Sequence, residues 1–147
     1  MDRWGIINQL DQEYSSLLIQ AGLFSTWNET KQEIHLYRPP VFFNRREIWF
    51  CSIGVNIGQE QNGHREYFER PVLIFKKFND NLFLGFPLTS KKKIGKYYFE
   101  IEMPKGASSV ILSQLRVLDA KRLNRKVRRI AESEYNDLFK AFVKLIS

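Results

Sequence analysis

Between Glu47 and Leu118 the chain alternates short aromatic and β-branched runs with loops rich in Gly, Asn or Lys. The runs are Glu47–Ile53 (EIWFCSI), Pro71–Phe75 (PVLIF), Leu82–Leu88 (LFLGFPL), Lys96–Met103 (KYYFEIEM) and Val110–Leu118 (VILSQLRVL). Their length and composition suit strands. Gly54–Gly63 is a Gly/Asn/Gln loop that continues through the charged stretch His64–Glu69; Asn79-Asp80-Asn81 is a turn, and Ser90–Gly95 is a basic loop. Five short strands in about 70 residues, followed by helix, predict a mainly β fold: a small, SH3-like curved barrel or half-open sandwich.

The flanks read as helix. Ile7, Leu10, Tyr14, Leu17, Leu18 and Ala21 recur at helical spacing over residues 4–21, and Gly22 is a candidate stop. Thr26 and Glu29 have the spacing of a capping box, which predicts a second short helix running to about Leu36. Pro39 disfavours helix at Arg38 and ends it. The expected element is a helical hairpin, too small for a core of its own. Residues 1–45 are therefore read as an N-terminal helical extension and 46–147 as the barrel domain with its C-terminal helix. In the tail, Ala120–Val127 is expected to be a short helix. Tyr135, Leu138, Phe139, Phe142, Val143 and Ile146 form the apolar stripe of another.

Charge is divided unevenly. Residues 1–37 hold five acids and two bases, a net of −3, whereas residues 38–147 hold 21 bases and 11 acids, a net of +10. The positive field belongs to the barrel and suits a polyanion, nucleic acid first; an acidic protein is the other partner it fits. No apolar stretch is long enough to span a membrane. The opening Met1-Asp2-Arg3-Trp4 lacks a basic segment leading into an apolar run, so no signal peptide is expected. The lone Cys51 cannot form an internal disulfide, which fits a reducing cytoplasm. With one cysteine and two separated histidines, His35 and His64, no metal site and no cofactor are expected.

Several motifs occur in a fixed order. They are Glu47-Ile48-Trp49, then Gly54, Asn56, Gly58, Glu60-Gln61 and Gly63, then Arg70-Pro71-Val72-Leu73-Ile74. Pro87-Leu88-Thr89-Ser90 follows, and then Ser109-Val110-Ile111-Leu112-Ser113-Gln114-Leu115-Arg116 with Asp119, Arg122-Leu123 and Lys126-Val127. Over roughly residues 46–146 this series resembles the MazF/PemK family, with its G-x-E-Q-x-G-x-R-P-V-L, P-[LIV]-T-[ST] and S-V-[IV]-L-x-Q-[IL]-R elements. The resemblance implies an SH3-like (PemK/CcdB-like) barrel closed by a C-terminal helix and paired as a homodimer. It also implies the toxin of a type II toxin–antitoxin system: a cytoplasmic, metal-independent endoribonuclease of single-stranded RNA, restrained by a cognate antitoxin. The alternative on the same barrel is a non-catalytic, CcdB-like protein that binds a target such as DNA gyrase.

The resemblance implies Arg70 and Thr89 as the catalytic pair. A guanidinium offers fixed donors to phosphate oxygens, so Arg70 would offset charge on a phosphorane, and Thr89 would hydrogen-bond the scissile phosphate or the 2′-OH. RNA contacts are expected from Gln61, Asn62, Ser90, Lys91, Lys93, Gln114 and Arg116, the last two alternating with core positions on the final strand. Glu60 is read as a stabiliser of the Gly-rich loop. Trp49, Phe50, Tyr97 and Tyr98 are read as core, and Arg122 and Lys126 as structural helix positions. The chain departs from the family in three ways. His64–Glu69 lengthens the loop before Arg70, residues 1–45 resemble an extension found in a longer-chained subgroup, and Ser113 stands where many members carry an acid. The general base is therefore unassigned from sequence. His64, whose ordinary pKa lies near neutrality, is read as a solvent-exposed loop residue.

Overall fold

A computed structural model describes residues 2–147; Met1, the first residue of the expected extension, lies outside the described residues. Helix α1 (Arg3–Tyr37) precedes strands β1 (Glu47–Ser52), β2 (Glu69–Lys77), β3 (Leu82–Thr89) and β4 (Tyr98–Met103). Strands β5 (Gly106–Ile111), β6 (Arg116–Asp119) and β7 (Leu123–Arg129) follow, and then helix α2 (Glu132–Ile146). The strands pair antiparallel in the order β4-β5-β3-β2-β1-β7, and β6 also pairs with β3. The architecture is mainly β, a curled half-barrel with a helix at each end of the chain.

Both faces of β2 are buried. Val72 and Ile74 pack with Phe43, Cys51, Ile53, Phe83 and Leu118. Leu73 and Phe75 join Phe86, Leu88, Ile101, Tyr135 and Leu138. Alternation along a strand makes this division, and α2 covers the second face. Phe75 is its seat. Its ring meets those of Phe86 at 4.9 Å, Tyr135 at 5.6 Å and Phe142 at 5.6 Å. The Tyr135 hydroxyl donates to the Phe75 carbonyl at 2.9 Å.

Three local expectations are corrected. The extension is one continuous helix, not a hairpin. Thr26 does not cap a new helix; its hydroxyl bonds back to the Gly22 carbonyl at 3.0 Å, and Ser25 bonds to that of Ala21 at 3.3 Å. Gly22 is carried within the helix, which is capped by Asp2, whose carboxylate accepts from the Gly5 N–H, and by Arg38 ahead of Pro39.

Residues 120–127 are also not a helix. A 3₁₀ turn over Ala120–Arg122 leads into β7, which pairs with β1. Arg122 therefore sits in a turn and Lys126 on a strand. Arg122 Nη1 donates to the Ser52 carbonyl at 3.0 Å, and Lys126 pairs with buried Glu47 at 3.2 Å. Burial alone would raise the Glu47 pKa, but bonds from the Asn44 N–H, Trp49 and Lys126 outweigh it and hold the carboxyl below its ordinary value.

Third, Val110–Leu118 is not one strand. A 3₁₀ turn over Leu112–Gln114 separates β5 from β6, so Gln114 lies in a turn. No helix among the described residues is long and apolar enough to cross a membrane.

Phe75 generates the first prediction. Phe75→Ala removes the ring on which α2 sits and costs about 3–5 kcal/mol, read as a lowered urea midpoint. Phe139→Ala, on the half-exposed side of α2, costs much less.

Candidate nucleic-acid site

The Gly-rich loop is held by its own polar side chains. The Asn56 N–H donates to Asn62 Oδ1 at 2.6 Å, and Asn56 Nδ2 donates to the carbonyls of Gln61 at 2.7 Å and Ile53 at 3.2 Å. Glu60 accepts from the Ile57 N–H at 2.9 Å, which is the loop-stabilising contact expected of it. Gly63 closes the loop by donating its N–H to the Gly54 carbonyl at 2.7 Å. A Cβ at Gly63 would lie 1.7 Å from the Phe68 carbonyl oxygen, so only glycine lets the two segments approach.

Beyond Gly63 the inserted residues form a tight hairpin. His64 and Glu69 bridge each other, and Arg65–Phe68 make the turn. The hairpin ends at Arg70, on β2. Extending the β2–β3 register beyond Val72↔Pro87 sets Arg70 opposite Thr89 at the end of β3. The Arg70 guanidinium is tied on three sides. Nε donates to the Asn62 carbonyl at 2.6 Å, Nη1 to the Leu88 carbonyl at 3.0 Å, and Nη2 lies 2.9 Å from His64 Nε2. These contacts use three of its five N–H donors and leave two for an anion.

Burial lowers the Arg70 pKa without removing its charge. Arginine can only donate, so the 2.9 Å contact requires an unprotonated Nε2 on His64. Desolvation, with the charges of Arg70 and Arg65 behind it, pushes the His64 pKa below its ordinary 6.5 and favours that form. Among the described residues the Thr89 hydroxyl only accepts, from the Lys91 N–H at 3.3 Å, which leaves its proton free to donate.

Beside this pair lies an open cleft of about 570 Å³. Asn56, Gln59, Glu60 and Gln61 line one wall; Ser113, Gln114 and Arg116 line the other, over Ile53, Pro87 and Leu115. Of the sequence-expected RNA contacts, Gln61, Gln114 and Arg116 meet here. Gln114 is occupied within the chain: Oε1 accepts from the Gln61 N–H at 2.7 Å and Nε2 donates to the Gln59 carbonyl at 3.0 Å. Asn62 spends its amide oxygen on Asn56 and its carbonyl on Arg70. Ser90, Lys91 and Lys93 are exposed on the neighbouring loop, outside the cleft lining, and the Lys93 N–H is anchored on Ser109 Oγ at 3.0 Å. The contact between His64 and Arg70 was not legible in sequence, since five residues separate them and only the hairpin joins them. Cys51 takes no part; burial pushes its thiol pKa up to about 12.

Such a rim, with a tethered arginine beside a polar cleft on a curled basic sheet, belongs to a known class. Residues 44–146 match the family described as PemK-like, MazF-like toxin of type II toxin–antitoxin system. The chain belongs to this family. Its fold is shared by the Mycobacterium tuberculosis toxin MazF-mt6, at a TM-score of 0.54 and 15% identity over 69% of this chain and 96% of that one. It is also similar to MazF from Deinococcus radiodurans, at a TM-score of 0.57 and 20% identity over 75% and 97% of the two chains. A third structure, an endoribonuclease in complex with its cognate antitoxin from a mycobacterial species, has a TM-score of 0.54 and 12% identity, covering 69% and 92%. No relative among curated proteins matches the chain.

The geometry predicts that His64 titrates below 6.5, measured by NMR of its imidazole. The Arg70 contact is intact above about 6.5 and is lost as pH falls through the lowered folded-state value. Arg70→Ala moves the midpoint upward, because it removes a neighbouring positive charge.

Proposed function

We propose that this toxin is a metal-independent endoribonuclease that cuts single-stranded RNA at short sequences; its membership of the toxin family and its likeness in fold to an endoribonuclease support the reading. One observation carries the reading. Arg70 is held rigidly by two backbone carbonyls and an imidazole while two of its donors stay uncommitted, opposite Thr89. A scissile phosphate seated there would take the guanidinium donors and the Thr89 hydroxyl as its charge develops. The 2′ oxygen attacks phosphorus, the P–O5′ bond breaks, and the departing O5′ takes a proton from water in the open cleft, so that the products are a 2′,3′-cyclic phosphate and a 5′-hydroxyl.

The proton of the 2′-OH needs an acceptor. No carboxylate stands at Ser113, and Glu69 is engaged with Asn124 and Arg125. Neutral His64, within hydrogen-bond reach of Arg70, fits that task. Bound phosphate oxygens replace it on Nη2 and free Nε2 to accept. Gln61 and Arg116 then face bases in the cleft, Gln114 sets the position of the Gln59–Gln61 wall, and Lys91 and Lys93 track the phosphate chain beyond Thr89. The same basic rim suits an acidic antitoxin, and a barrel homodimer follows from the family.

The test is cleavage of a long single-stranded RNA in EDTA. Wild type cuts at a short recurrent sequence and leaves cyclic-phosphate ends. Arg70→Ala and Thr89→Ala each lose about 10²–10³ in rate. Wild-type activity falls as pH drops through the lowered His64 value, and His64→Ala lacks that limb of the profile. Wild type that cuts no RNA across many substrates overturns the enzyme reading and leaves the non-catalytic one.

A further inference from the structure

Among the described residues, the N-terminal two-thirds of α1 has no partner from the rest of the chain. Along α1 only Trp27 and Ile34 are buried, and both lie toward its C-terminal end. Trp27 packs on Phe68 of the hairpin with ring centroids 5.5 Å apart, with Val55 also against this cluster. Lys121 Nζ donates to the His35 carbonyl at 2.9 Å and completes the dock. Ahead of Trp27, residues 3–26 extend for about 36 Å at the helical rise.

That projecting part carries a second face. Ile7, Leu10, Tyr14, Leu17, Ala21 and Phe24 follow one another at alternating spacings of three and four, the a and d positions of three heptads. Ile7 is 39% exposed, Leu10 59%, Tyr14 64%, Leu17 62% and Phe24 46%. Trp27 and Ile34 both occupy the g position of the same register, so the seam does not face the barrel. The a/d series continues as Asn28, Lys31 and His35, so it becomes polar where the helix reaches the barrel. The apolar a/d series is thus confined to the stretch that no other described element covers, where Ile6, Ile19 and Leu23 are exposed off the seam as well.

We infer that this seam pairs with the α1 seam of a second copy of the chain, an interface separate from the sheet and independent of the nuclease reading. A 3.5-residue apolar repeat is self-complementary, because two like helices interlock their a and d side chains along it. The flanking e and g positions carry two charges across the seam, Asp11 and Glu13, so a like copy meets little repulsion. Covering the seam with its flanking Trp4 and Leu18 removes on the order of 600–800 Å² per copy, close to the ~800 Å² per partner of a standard interface. A lone helix of this kind gains no burial from its apolar face, whereas a paired one does.

The test uses the full chain in light scattering coupled to size exclusion. Wild type has twice the mass of Leu10→Glu/Leu17→Glu where the seam joins copies that the barrels do not, and an equal mass with a cross-link at position 17 where both interfaces join the same two copies. Gln12→Glu/Ser15→Glu, off the seam, keeps the wild-type mass. Both doubles lie on exposed positions outside the core, and circular dichroism checks that each is folded. In a second measurement, Leu17→Cys joins two chains through a short bis-maleimide, Cys51 being fully buried. Equal masses for wild type and the seam variant, with no cross-link at position 17, overturn the proposal. So does a seam variant of unchanged mass that loses only its antitoxin, since the seam would then belong to that partner.

Discussion

Burial of β2 on both faces is the constraint from which the rest of the molecule follows. Val72, Leu73, Ile74 and Phe75 are all buried, and in a strand that requires cover above and below. A flat sheet covered by one helix leaves half of these side chains in water. The chain solves this by curling. β1 and β3 flank β2, β6 and β7 bring Leu118 and Leu123 over one face, and α2 closes the other on Phe75. Fixing β2 this way also fixes where it starts. Arg70 follows because it is the first long side chain beyond the buried run, at a rim where backbone carbonyls of the adjoining loop and of β3 are in reach. The site is rigid on the side that the core supplies and adaptable on the side that the loop supplies, a division suited to holding a phosphate while sampling bases.

The sequence pattern carried most of the sheet because the strands alternate apolar and polar side chains or run fully apolar, and both patterns are visible without a structure. β1, β2, β3 and β4 fall within the expected runs or within two residues of them. The errors share one cause, competition between local preference and a partner distant in sequence. Leu123–Arg129 carries Asn, Arg and Lys at positions that a helix tolerates, yet pairing with β1 turns it into a strand, its basic side chains directed outward or onto Glu47 and Glu69. Thr26 has the residue type and spacing of a cap, but its hydroxyl is satisfied one turn back within the same helix. Gln114 sits where alternation would place it on a strand, and the 3₁₀ turn that moves it is required because β5 and β6 both pair with β3 along different lengths.

At the site, residue types were legible and partnerships were not. The motif order singled out Arg70 and Thr89, and the β2–β3 register, continued two residues past Val72↔Pro87, runs toward both. The tethers come from elsewhere. Asn62 contributes its carbonyl, a group every residue has, and His64 contributes an imidazole from an insertion that no pattern ties to Arg70. Main-chain acceptors leave no compositional trace, which is why a guanidinium held by the backbone reads in sequence as an ordinary surface charge.

The N-terminal helix meets the barrel at the hairpin that carries His64. Phe68 at its turn is buried against Trp27 of α1, and a side chain at Gly54 would collide with the same indole. Phe68 takes a positive φ of 49°, a conformation costly for a bulky residue, and the burial of its ring against Trp27 offsets that cost. The helix therefore does more than extend outward from the barrel: its docked end presses on the segment that leads into Arg70. Arg38, which caps the helix, adds a second contact by lying over the ring of Tyr67 in the same hairpin at 5.4 Å. The distance from the seam to the guanidinium is thereby bridged by packed side chains and a short hydrogen-bonded turn, not by a flexible linker.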